Sequence, residues 1–153
     1  MFDVVGAIVA GLIGGAVMAA LLYMGIAMMP AQMRINLFLM LGTMVLPVGV
    51  VAYVLGAMVH AMMSVAFGLA HAGVYATGIE PNVGWGLLFG AVHWVAVGIG
   101  LGMIPIMHRG MRAGEIEKPG MFALSLGAMT AMGFLVLHLV FGVVVGVVYA
   151  AFI

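Results

Sequence analysis

VVGAIVAGLIGGAVMAALLYMGIAMM, residues 4–29, carries no charged side chain. At 1.5 Å per residue it makes a helix of about 39 Å, longer than a hydrocarbon core of ~30 Å requires. A helix apolar all round has no water-facing side, so its solvent is lipid or the inside of a bundle. The residues before it, Met1-Phe2-Asp3, have no basic side chain, whereas a secretory leader opens with basic residues and has a shorter apolar core. The segment is expected to be a retained transmembrane helix.

Three further apolar stretches follow, at about 47–77, 83–107 and 121–153. Each exceeds the roughly 17 residues that a span needs. The second and fourth are long enough to tilt, kink or project beyond the hydrocarbon. The stretches are punctuated at Pro30, at Gly78-Ile79-Glu80-Pro81-Asn82 and across 108–120. Of 153 residues, 67% are hydrophobic and 5% charged, against roughly 25% charged in soluble domains. This composition excludes both a soluble fold and a disordered chain. The expected architecture is all-α: a single-domain, polytopic membrane four-helix bundle. With no cysteine, disulfides and thiolate metal sites are unavailable. Four basic residues and zero net charge leave no surface for nucleic acid. The expected partners are the lipid bilayer and other helices, from other membrane subunits or from copies of this chain.

Arg34 follows the first stretch, and Arg109, Arg112 and Lys118 follow the third; the termini and the middle connection have no Lys or Arg. Basic residues stay cytoplasmic, so both termini are expected outside, which is the periplasm if this is a bacterial inner membrane.

The chain also reads as two helix pairs of the same orientation, about 1–80 and 81–153. Gly11-Leu12-Ile13-Gly14-Gly15-Ala16-Val17 matches Gly86-Leu87-Leu88-Phe89-Gly90-Ala91-Val92 at an offset of 75, which also pairs Pro30 with Pro105 and Arg34 with Arg109. Phe67-Gly68 and Val74-Tyr75-Ala76 resemble Phe141-Gly142 and Val148-Tyr149-Ala150, and Leu41-Gly42-Thr43-Met44 resembles Leu126-Gly127-Ala128-Met129. Helices in lipid associate by close backbone approach at small residues. Gly11/Gly15, Gly86/Gly90, Gly98/Gly102 and Gly142/Gly146 are therefore expected contact faces, within the bundle or toward other subunits.

Ionisable groups inside a membrane are costly and point to function. His60, His93 and His138 each fall near the middle of a stretch, and His60, Ser64, His71 and Tyr75 share one helical face. His108 is expected at the cytoplasmic boundary, near headgroups or water. Three readings of the midplane histidines follow. In the first no cofactor is bound, and each ring bonds a hydroxyl or carbonyl, with Tyr23, Ser64 and Thr130 as hydroxyl partners. In the second, two or three imidazoles ligate haem b, copper or zinc. In the third, the polar stripe carries protons or small solutes. Seventeen methionines add a soft-ligand option, with Met28 and Met103 as candidates for cuprous copper. Enzyme motifs are absent: there is no phosphate loop, no His-Glu-x-x-His and no pair of carboxylates within a stretch.

The segments Trp85-Gly86-Leu87-Leu88-Phe89-Gly90, Met103-Ile104-Pro105-Ile106-Met107 and His138-Leu139-Val140-Phe141-Gly142, ending in Val148-Tyr149, resemble small bacterial inner-membrane proteins of the YagU-like kind over about two thirds of the chain. In that group a His stands eleven residues before a Tyr on the second helix; here Ser64 holds that place and His60 lies one turn earlier. The resemblance implies architecture and no activity. With no soluble domain and glycines on several helices, the expected role is an accessory or structural subunit of a larger membrane complex. The alternatives are an intramembrane haem or copper redox protein and a small channel or transporter.

Overall fold

The computed structural model describes residues 2–153, and every regular element in it is helical. Asp3 accepts from the Gly6 amide and starts α1, Val4–Met28, which stops before Pro30. Asn36 caps the short α2, Leu37–Gly42. The second span is α3, Val50–Tyr75. Asn82 caps α4, Val83–Met107, and His108 caps the four-residue α5, Arg109–Arg112. A 3-10 segment, Met121–Leu126, precedes α6, Ala128–Ala150. α1, α3, α4 and α6 are long and apolar enough to cross a membrane.

Two boundaries differ from the sequence expectation. The fourth span begins at 128, not 121, because Gly120 and Gly127 take positive φ and Phe122 and Ala123 do the same between them. That conformation costs an L-residue roughly 1–2 kcal/mol. What offsets it is packing: the Phe122 ring lies against Gly98 and 4.6 Å from Trp94, and Met121 lies over Gly102. The first connection, read as a break, contains α2, which lies so close to α3 that a Cβ on Gly42 or Gly56 would strike the other helix's backbone.

The four spans form a square. α1 meets α3 backbone to backbone where Gly11 faces Gly68, and α4 meets α6 where Gly86 and Gly90 face Gly142. α6 closes on α1 with Phe141 and Val145 over Gly14. On the fourth side α3 and α4 stand farther apart and meet through rings, with Phe67 stacked on His93 at 3.7 Å and Tyr75 at 5.1 Å from Phe89. All four expected glycine pairs are thus used within the chain, since Gly146 also sits under the Tyr75 hydroxyl.

One end of the square is tied together by the connections. Thr130 Oγ1 donates to Gln32 O (2.8 Å) and accepts from the Arg34 amide (3.1 Å). Gly110 N donates to Thr43 O at 3.2 Å. Arg34 pairs with Glu117, and Arg109 with Glu115 at 3.8 Å. At the opposite end the Asp3 amide donates to the Tyr149 hydroxyl at 2.9 Å.

Candidate functional site: a histidine-lined midplane cavity

Of the five histidines, His60, His93 and His138 line one partly open cavity of about 100 Å³, bounded by all four spans and roofed by Met33 and Met40 of the first connection. Its walls are otherwise apolar apart from Ser64. Ligand sites for drug-sized molecules run to ~300–1,000 Å³, and an apolar cavity of ~150 Å³ holds benzene. This one has room for an ion or a molecule of a few heavy atoms. A haem is too large for it.

Backbone carbonyls fix two of the rings. A carbonyl can only accept, so His138 donates its Nδ1–H to Phe134 O at 2.6 Å and His60 its Nε2–H to Gly15 O at 3.1 Å. The opposite nitrogens, His138 Nε2 and His60 Nδ1, therefore carry lone pairs in the neutral rings. This N–H to carbonyl arrangement is what orients metal-ligating imidazoles. His93 differs, because its Nδ1 has no partner. Its ring stands edge-on to His138 at 4.9 Å and to His71 at 5.6 Å.

The expected hydroxyl partners are engaged elsewhere. Ser64 Oγ donates to His60 O at 2.8 Å, one turn back on its own helix, Tyr23 donates to Asn36, and Thr130 serves the basic end. A mid-span hydroxyl finds a carbonyl four residues back more readily than a ring on another helix. Ser64, His71 and Tyr75 are all buried, so the polar stripe of α3 faces the bundle. His108 corrects the sequence reading, since it is fully buried between the two connections and not at the headgroups. Its Nδ1 accepts from Met111 N (3.1 Å) and its Nε2 donates to Met40 O (2.8 Å).

Met28 and Met103 are 73% and 58% exposed on the outer surface, away from the histidines. The thioethers at the cavity are Met18, Met33, Met40 and Met63. Sequence reasoning passed over Met18, Met40 and Met63, although an offset of 75 pairs position 18 with position 93. Among the described residues, no three His, Asp or Glu side chains stand where they could hold one ion together.

No family model, no curated protein and no solved structure matches this chain.

Proposed function

We propose that this chain is a multi-pass membrane protein that holds a single soft cation, cuprous copper, at the bilayer midplane. The observation that carries the proposal is the His138 ring, tied at Nδ1 to Phe134 O and lining the same cavity as His93, His60 and four thioethers. With metal to nitrogen bonds of ~2.0–2.1 Å, each ring centre stands about 3.2 Å from a shared ion. The 4.9 Å between His93 and His138 then corresponds to an angle at the ion of about 100°, near tetrahedral. Thioether and imidazole together suit cuprous copper better than a hard cation.

The repeat expected from the sequence points to the same cavity. At offsets of 75 and 74, Met18 is equivalent to His93, Ser64 to His138 and Phe67 to Phe141, and all six line the cavity. A duplicated hairpin would put the cavity on its own axis, where duplicated membrane proteins carry binding sites. The orientation proposed with it puts the basic end in the cytoplasm. Impermeant thiol labelling in intact cells is expected at Phe2→Cys and not at Ala113→Cys; the reverse pattern inverts the topology.

The ion is tested on protein purified gently and loaded anaerobically. One copper per chain is expected, with affinity falling about 100-fold or more in His93→Gln and His138→Gln. Absence of stoichiometric copper, or full retention in the double variant, overturns the site. A second reading, membership in a larger membrane assembly, draws on Ala66, Ala70 and Gly73, exposed on one face of α3. The same preparation tests it: a discrete second subunit is expected beside the chain, and a chain migrating alone or only with itself refutes it.

A further inference from the structure

Three buried polar atoms without a hydrogen-bond partner lie inside the bundle where α3 meets α4 and α6: His93 Nδ1, His71 Nδ1 and the Tyr75 hydroxyl, which sits over Gly146. Their residues are 8%, 6% and 3% exposed. A buried polar atom left unpaired costs ~1–3 kcal/mol, and native interiors hold few. Three in a row call for a physical reason.

The row lies between two spaces. His93 lines the midplane cavity, and its ring is 5.6 Å from that of His71. His71 and Tyr75 are one turn apart on the same face of α3. Tyr75 in turn lines an open cleft of about 430 Å³ at the terminal end, together with Glu80, Pro81 and Ala150. The side chains that charge this end are Asp3 and Glu80, since all four Lys and Arg belong to the other end. Phe67, Phe89 and Phe141 flank the two histidines.

We infer that this row is an access path by which a small cation reaches the midplane cavity from the terminal face. A carboxylate stands at its mouth, unpartnered oxygen and nitrogen atoms mark its length, and aromatic faces, which attract cations, form its walls. No cationic side chain blocks it. The path runs along the one side of the square where rings, and not backbones, are in contact, so rotation of Phe67 or Phe89 opens it without separating helices. It would feed the ion site proposed above, yet it is testable with no metal.

The chain is free of cysteine, so single thiols can be placed at Tyr75→Cys, His71→Cys and, as a buried control, Val145→Cys, in nanodiscs that leave both faces open. Methanethiosulfonates of similar size, one an aminoethyl cation and one a sulfonatoethyl anion, are the probes. Both path positions are expected to react, with the cation favoured about tenfold after correction for intrinsic reactivity, a preference that Glu80→Gln reduces. Val145→Cys is expected to stay unmodified. Equal rates for the two reagents, or His71→Cys as inert as Val145→Cys, overturn the path. A parallel measurement needs no substitution: in wild type with nitrogen-15 histidine, in bilayers, magnetisation from water is expected to reach the His71 and His93 rings ahead of the Val145 amide. Transfer no faster than to Val145 overturns the path equally.

Discussion

Gly142→Leu is expected to leave no folded protein under detergent conditions where the parent chain is fully folded. A Cβ at Gly142 would lie 2.7 Å from Gly90 N and 2.8 Å from Gly90 Cα, with Gly86 O closer still. All three are backbone atoms of α4, so no rotamer change relieves the collision and the helices must separate. Overpacking that side chains can absorb costs ~1–3 kcal/mol, and this site should exceed that range. Separation also forfeits the close approach that holds α4 to α6, for which lipid supplies no hydrophobic substitute. Gly73→Leu is the control, because a Cβ there meets nothing within 4 Å. Unfolding by dodecyl sulfate, followed by circular dichroism, makes the comparison. Equal midpoints for Gly142→Leu and the parent chain would falsify this account of the pair.

That collision also shows which part of the fold is legible in the sequence. Four long apolar stretches and a one-sided set of basic residues are properties of single segments, and so are the i, i+4 glycines. The partner of each glycine is a property of two segments, which is why these faces could be assigned equally to other subunits. In the structure they are filled by Gly68, Phe122, Met121 and the Tyr75 hydroxyl. α2 and the 3-10 segment were invisible for the same reason. Each has six residues, too few to hold a helix by propensity, and each is set by its fit against a neighbouring span.

The site divides in the same way. His60, His93 and His138 were singled out by depth alone, each near the middle of a span, and they come to one cavity because helices that pack side by side align their middles. The methionines failed on phase. Met28 and Met103 each lie ten residues beyond a cavity residue, Met18 and His93, and at 3.6 residues per turn ten residues rotate a side chain roughly 80° off the inner face. They come out on the surface. Counting methionines near helix ends carried no such angular information.

His108→Leu is the second large effect expected, and it acts at the basic end. The ring is fully buried and joins two connections that share no sequence neighbourhood, with Nε2–H donated to Met40 O and Nδ1 accepting from the first turn of α5. Leucine fills much of the same space while leaving Met111 N buried and unpaired, at ~1–3 kcal/mol, and Met40 O with only the longer bond from Thr43 Oγ1 at 3.3 Å. Destabilisation of about 1–3 kcal/mol follows from the amide, with a smaller addition at Met40 O. His108→Asn should recover part of this, since asparagine is a good N-cap for Met111 N but is too short to reach Met40 O. Hydrogen exchange separates the two halves. In the leucine variant the Met111 and Gly110 amides should both lose protection, Gly110 because its bond to Thr43 O depends on the same junction. In the asparagine variant Met111 should stay protected while Gly110 does not. Met40 also roofs the histidine-lined cavity, so loosening it from His108 should also speed release of the ion proposed above, while the histidines below keep their carbonyl partners. Unchanged exchange at both amides in His108→Leu would mean that the junction holds without the ring, through Gly110 N to Thr43 O, Arg109 N to Met44 O and the Arg34–Glu117 pair.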